Sequence, residues 1–147
     1  MRHKFYFGLL LIFFALNTNL FAQNFWVPDS NFRNLLKQRY PTCFTLQDSM
    51  IVNCSVIQSI SNLQVDFSNI VDLTGVEYFT SLNRLNCNSN LLTSLPVLPA
   101  SLTELVCGFN QLTSLAGLPN TLTLLYCVSN NLSNLPNLPD SLKSLNC

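Results

Sequence analysis

Residues 82–101 read LNRLNCNSNLLTSLPVLPAS, and the same pattern returns in the segments that follow. Residues 102–121 read LTELVCGFNQLTSLAGLPNT, residues 122–141 read LTLLYCVSNNLSNLPNLPDS, and residues 142–147 begin another copy with LKSLNC. The shared frame is L-x-x-L-x-C-x-x-N-x-L-x-x-L-x-x-L-P-x-[ST]. A strict period of 20 residues predicts a solenoid, because one unit is too short to bury its own apolar face and must stack on its neighbours.

Each repeat divides into a strand and a return segment. The L-x-x-L-x-C portion predicts a short strand with inward leucine and cysteine side chains, and the asparagine that follows can bond backbone groups at the bend. Prolines in the return segments forbid a regular helix and favour an extended path. We therefore expect an α/β-type right-handed solenoid with a concave parallel β-sheet, a proline-rich extended convex side and an N-terminal helical cap. Its expected core layers are Leu85/Leu105/Leu125, Leu92/Leu112/Leu132, Leu95/Leu115/Leu135 and the cysteine ladder.

The whole chain has three predicted parts. Residues 1–22 combine a basic start, an apolar run too short for a comfortable membrane span and a small residue at Ala22, which together indicate a cleaved signal peptide. Residues 23–59 are predicted to form the cap, with a helix that Asp29 or Ser30 begins and Pro41 ends. Residues 60–147 are the repeats, of which the first is 22 residues long. Because the chain stops inside a predicted strand, we expect it to be truncated at its C-terminus.

The six cysteines fall into two groups. Cys43 and Cys54 lie outside the repeat register, and an exported chain predicts a disulfide between them, although two unrelated buried thiols remain an alternative. The others form a ladder, for which stacked strands predict a row with a spacing of about 4.8 Å. Such a row does not converge on a metal ion, and we expect it not to form disulfides between neighbours. The ladder is therefore interpreted as small buried hydrophobic side chains at Cys87, Cys107, Cys127 and Cys147.

Composition argues against several functions. Residues 23–147 hold five basic and seven acidic residues, a net charge of 5 − 7 = −2, which is too weak and dispersed to steer a nucleic acid or an anionic membrane. The only histidine is His3, inside the predicted signal peptide, so the mature chain lacks the base of a catalytic triad and a histidine ligand for metal. We expect no enzymatic activity, no cofactor, no metal and no membrane insertion of the mature chain.

The frame from Ile60 to Cys147 resembles the leucine-rich repeat family, whose pattern L-x-x-L-x-L-x-x-N-x-L is matched with cysteine at the third apolar strand position. The segments VPDSNFRNLL and DLTGVEYFTSLNRLNC look like those of secreted bacterial members, and the LPxLPxSL phrasing also resembles bacterial effector repeats that precede a ubiquitin-ligase domain. The resemblance implies a secreted or cell-surface module. It also implies a concave face that binds a protein or, as a less favoured alternative, a glycan.

Carried over residue by residue, the resemblance implies contact residues on the outward strand positions. The expected ligand-binding residues are Arg84, Glu104, Val106, Leu124, Tyr126 and Val128. An exposed apolar patch with one tyrosine suits a protein partner, although packing under further C-terminal sequence is an equally weighted alternative. One alternative function is the targeting or substrate-recognition part of a longer enzyme whose catalytic domain is missing. Another is a purely structural surface or adhesion protein with no discrete ligand.

Overall fold

The computed structural model describes residues 23–147, so the predicted signal peptide of residues 1–22 lies outside the described residues. The described chain begins with a small N-terminal region. Strand β1 (Asn24–Phe25) pairs antiparallel with β2 (Met50–Ile51), and helices α1 (Ser30–Arg39) and α2 (Ser55–Ser59) precede the repeats. Among residues 23–147, no helix is long and apolar enough to cross a membrane.

The repeats form a five-stranded parallel sheet. Its strands are β3 (Asn62–Gln64), β4 (Arg84–Asn86), β5 (Glu104–Val106), β6 (Leu124–Tyr126) and β7 (Ser144–Asn146), in that order across the sheet. Equivalent repeat positions face each other, so Leu85 pairs with Leu63 on one side and with Leu105 on the other. The first interval is therefore 22 residues and the later ones 20. This stack of parallel strands confirms the predicted solenoid.

Helix α1 packs against the first repeat. Asp29 begins the helix, because its Oδ1 accepts a hydrogen bond from the Phe32 backbone N–H at 2.8 Å. Its Oδ2 accepts from the Val71 N–H at 2.8 Å, which ties the helix start to the first return segment. Phe32 and Leu36 are fully buried in the common core. The division into a cap of residues 23–59 and repeats of residues 60–147 stays a prediction.

The asparagines of the repeats form a row of side chains that hydrogen-bond the backbone. Asn110 is 8% exposed, and its Nδ2 donates to the carbonyl oxygens of Cys107 at 3.1 Å and of Gly108 and Cys87 at 3.0 Å. Its Oδ1 accepts from the Leu92 N–H at 3.0 Å in the preceding repeat. One amide therefore satisfies polar groups of two successive repeats that the bend removes from the strand ladder.

The residue before each of these asparagines has a left-handed backbone, and so does Phe67, which precedes Ser68 at the equivalent position of the first repeat. The φ angles are 52° at Phe67, 53° at Ser89, 52° at Phe109 and 54° at Ser129. Left-handed φ is uncommon outside glycine, asparagine and aspartate, and bulky side chains are especially rare there. Since all four turns share the value, the solenoid imposes the conformation whichever side chain occupies the position.

The return segments are extended, as the prolines indicate. Between β4 and β7 the described chain contains no helix, and the first repeat has only a single 3₁₀ turn at Val76–Tyr78. Two core predictions are wrong: Cys147 of the cysteine ladder is exposed, and Leu135 is 43% exposed, whereas its counterpart Leu115 is fully buried. The reason is that the described chain places no further repeat over the turn that contains Leu135.

The disulfides divide the cysteines differently from the sequence prediction. Cys43 and Cys54 are joined, which is the pairing expected from sequence. Cys127 and Cys147 are also joined, so the expectation that no two ladder cysteines crosslink is wrong. Their Cα atoms are 4.6 Å apart, inside the range of roughly 4.4–6.8 Å that disulfides span. The predicted strand spacing was sound, but the conclusion that it forbids a disulfide was not.

Candidate functional site

The outward positions of the strands form the concave face. In β5 and β6 the middle leucine is buried while the residues on either side are partly exposed. This alternation follows from the strand geometry, in which successive side chains point to opposite sides of a sheet. The concave face therefore carries the outward residues that the sequence predicts. They are Asn62, Gln64, Asp66, Arg84, Asn86, Asn88, Glu104, Val106, Gly108, Leu124, Tyr126, Val128, Ser144 and Asn146.

A depression of about 420 Å³ occupies the middle of this face. Four of the predicted contact residues line it, and Glu104 and Val128 are not among its lining residues. The depression also takes in polar residues from the first two strands and one aromatic residue that the sequence prediction omitted. The lining residues are Asp66, Phe67, Arg84, Asn86, Asn88, Val106, Leu124 and Tyr126.

The ring of Tyr126 lies across the neighbouring strand instead of projecting freely. A Cβ atom built on Gly108 would lie 2.6 Å from Tyr126 Cε1, and Gly108 itself is buried. Only glycine at this position leaves room for the ring, because real Cβ contacts do not approach so closely. Tyr126 is therefore half-buried, and its ring edge points back towards the first repeats.

Asn88 lies beside the same glycine and has an unpaired oxygen. Its Oδ1 would be 2.8 Å from a Cβ atom at Gly108, is buried, and accepts no hydrogen bond from residues 23–147. Its Nδ2 donates to Ser89 Oγ at 3.1 Å, and its backbone N–H donates to Asn86 Oδ1 at 3.1 Å. An orphaned buried acceptor is uncommon in native proteins and calls for an explanation.

One ion pair lies at the edge of the depression. Arg84 Nη1 donates to Glu104 Oε2 at 2.7 Å and so links β4 to β5. The two side chains are 47% and 36% exposed, so this pair adds little stability. Its main effect is to neutralise the arginine that faces the depression.

Two phenylalanines are exposed beside the face. Phe67 is 76% and Phe109 is 51% exposed, and both occupy the left-handed position described above. Ser89 and Ser129 show that a small polar residue also satisfies this turn. The phenylalanines are therefore not needed for the turn. Sequence reasoning could have identified Phe109 because it precedes a repeat asparagine, whereas Phe67 precedes Ser68 and follows only from the 22-residue offset of the first repeat.

The free cysteines do not form a reactive centre. Burial raises the pKa of the Cys107 thiol to about 12 and raises the pKa of Cys87 well above its usual range, where the neighbouring Cys107 adds to the effect. A raised pKa leaves little thiolate, which is the nucleophilic and metal-binding form. Among residues 23–147, no group of three or more His, Cys, Asp or Glu side chains could hold a metal ion.

The repeat frame, the parallel sheet and the repeat asparagines give this chain the fold of leucine-rich repeat proteins. It is similar to bacterial proteins of that fold. Over 72 residues it is 33% identical to Internalin J of Listeria monocytogenes, a match that covers 49% of this chain and 7% of that protein. No protein-family model matches the chain.

Two solved structures share the fold. The functional domain of InlJ from Listeria monocytogenes, which includes a cysteine ladder, matches with a TM-score of 0.68 and 31% identity over 86% of this chain and 29% of that chain. YopM from Yersinia enterocolitica matches with a TM-score of 0.56 and 37% identity over 59% of this chain and 19% of that chain. The chain thus spans less than a third of each relative.

Proposed function

We propose that this chain is a non-catalytic recognition module that works outside the cell and binds a protein on its concave face. The observation that carries the proposal is the apolar side of the depression, where Val106, Leu124 and Tyr126 adjoin on neighbouring strands. Apolar surface that is gathered in one concave place, with polar groups around it, is typical of protein-binding sites.

The likeness to leucine-rich repeat proteins supports a binding role over catalysis. Residues 23–147 carry few charged side chains, and the buried thiols have raised pKa values, so the concave face offers no evident nucleophile with a neighbouring base. Disulfides at both ends of the described chain support an oxidising compartment. The export proposal is tested by fusing residues 1–22 to a reporter enzyme that is active only after secretion.

Tyr126→Ala tests the binding face. A partner is first captured from extracellular proteins with the immobilised chain, then purified and titrated by calorimetry against wild type and variant. We expect the variant to lose about 2 kcal/mol or more of binding free energy, since central aromatic residues dominate such interfaces. Its thermal stability should fall by only about 1 kcal/mol, because the ring is half-buried.

Val97→Ala is the matched control. Val97 is 76% exposed in a return segment, so its truncation removes exposed apolar surface on the opposite side of the solenoid. The control should bind as wild type does. If a purified partner binds Tyr126→Ala and wild type with equal affinity, the proposal that it binds on the concave face is wrong.

A further inference from the structure

We propose that the depression receives the guanidinium group of an arginine side chain presented by the protein partner. The inference rests on the proposed function and adds the chemistry that the partner must offer. It starts from the hydrogen-bond acceptors of the depression, two of which have no partner among residues 23–147.

Asp66 and Asn88 supply these acceptors. The Asp66 carboxylate forms no ion pair and accepts no hydrogen bond within the described chain, whose ion pairs are Lys37–Asp48 and Arg84–Glu104. The Asn88 Oδ1 is buried and unpaired beside the Tyr126 ring. These two residues follow the adjacent strands β3 and β4 at equivalent repeat positions, and neighbouring strands of a sheet lie about 4.8 Å apart. A ligand that carries several donors and a positive charge would satisfy both.

Aromatic rings flank these acceptors. Phe67 follows Asp66 directly, has a left-handed backbone and is 76% exposed. The Tyr126 ring lies on the other side of the acceptors, over Gly108. A planar guanidinium stacks on aromatic faces while its edge donates to oxygen, and few other side chains combine both properties. A contact role explains why phenylalanine occupies a turn that serine satisfies elsewhere.

The charges around the depression permit a cation. Arg84 is the basic residue that lines it, and Glu104 neutralises Arg84 at 2.7 Å. Arg39 lies at the outer edge of β3, where its Nη1 donates to the Gln64 carbonyl oxygen. With Asp66 unpaired, the lining residues and Glu104 carry a net negative charge, which favours a positively charged side chain.

The dimensions also agree with arginine. A volume of about 420 Å³ falls within the range of specific binding pockets, which is roughly 300–1,000 Å³. Val106 and Leu124 line the side away from Asp66 and offer apolar contact for the methylene stem. The guanidinium then lies above Asn88, beside the Tyr126 ring.

The test is an NMR titration of the full described chain with N-acetyl-arginine amide. N-acetyl-citrulline amide serves as the control probe, because it has nearly the same shape and no charge. We expect the arginine probe to shift the side-chain amide signals of Asn88 and the ring signals of Tyr126, and the citrulline probe to leave them unchanged. Asp66→Asn should weaken the arginine probe at least about fivefold, as expected for a partly exposed charge-assisted bond.

Asp140→Asn is the matched variant. It removes one exposed carboxylate from the convex side and should bind the arginine probe as wild type does. Equal shifts with both probes, no shifts at all, or unchanged affinity in Asp66→Asn would overturn the arginine site. None of these outcomes would contradict protein binding on the concave face, because the Tyr126→Ala titration with the purified partner tests that proposal separately.

Discussion

Truncating the repeat asparagines to alanine should destabilise the chain in a graded order. Asn90 Oδ1 accepts from the N–H groups of Ser68 at 3.1 Å and Ile70 at 3.0 Å, and its Nδ2 donates to the Val65 carbonyl at 2.8 Å. No other described group bonds these two N–H donors. Asn90→Ala therefore removes the partners of two backbone donors, one of them in the fully buried Ile70.

Asn110→Ala removes four side-chain hydrogen bonds, against five for Asn90→Ala, and orphans fewer groups. The Leu92 N–H loses its partner, whereas the Cys87 carbonyl keeps a bond from Asn90 and the Cys107 carbonyl keeps one from Asn130. An orphaned buried donor costs about 1–3 kcal/mol, and each lost bond adds less. We expect losses of about 3 kcal/mol for Asn90→Ala and about 2 kcal/mol for Asn110→Ala.

Asn130→Ala should cost least. Asn130 bonds the Leu112 N–H at 3.0 Å but is itself only partly buried, so water can replace the lost amide. We expect a loss of about 1 kcal/mol. Asn120→Ala is the control, because Asn120 is exposed and makes no side-chain hydrogen bond in the described chain; it should change stability by less than about 0.5 kcal/mol.

Urea unfolding followed by circular dichroism measures all four free energies of unfolding on one scale. The comparison requires similar m-values, because a changed slope would indicate a different unfolded or native state. Unfolding free energies of Asn90→Ala and Asn110→Ala that both stay within about 0.5 kcal/mol of the control would contradict the structural role of these amides. A larger loss in Asn130→Ala than in the other two variants would contradict the count of orphaned groups.

Three further predictions concern the core, the concave face and the thiols. Leu125→Ala should cost about 2–5 kcal/mol in the same urea assay, since Leu125 is 1% exposed and its loss leaves a cavity. Gly108→Ala should displace the Tyr126 ring, seen as changed ring signals in NMR, and cost about 1–3 kcal/mol; unchanged ring signals would refute the contact. Cys87 and Cys107 should resist alkylation in the native state, because burial raises the pKa of both thiols. For the same reason their contribution to stability should be complete below pH 9 and be lost as the pH rises towards about 12. A free energy of unfolding that rises over this pH range would contradict the assignment.

The sheet could be predicted from the sequence because the repeat is strict. Identical spacing places Leu85, Leu105 and Leu125 on one inward row, and the paired register follows from it directly. Leu135 and the Cys127–Cys147 disulfide could not be predicted in the same way. Both features depend on which repeat packs next to a given turn. A periodic sequence pattern cannot predict such differences, because it assigns the same environment to every repeat.

The candidate site was predictable only as a set of outward positions. Alternation along each strand identifies Val106 and Tyr126 as facing outward, without stating where the side chains turn. The direction of the Tyr126 ring depends on the absence of a side chain at Gly108 in the adjacent repeat. The unpaired oxygen of Asn88 lies beside the same glycine, so it becomes visible only once the neighbouring repeats are placed side by side.

The asparagine row makes each repeat depend on its successor. The N–H groups of Ile70, Leu92 and Leu112 are bonded by an asparagine 18 to 20 residues further along the chain. A repeat can therefore satisfy all of its backbone hydrogen bonds only after the following repeat has packed against it. This dependence couples the stabilities of neighbouring repeats, as in a one-dimensional chain. Hydrogen exchange at these three amides consequently reports how often each junction opens, and it resolves cooperativity repeat by repeat along the solenoid.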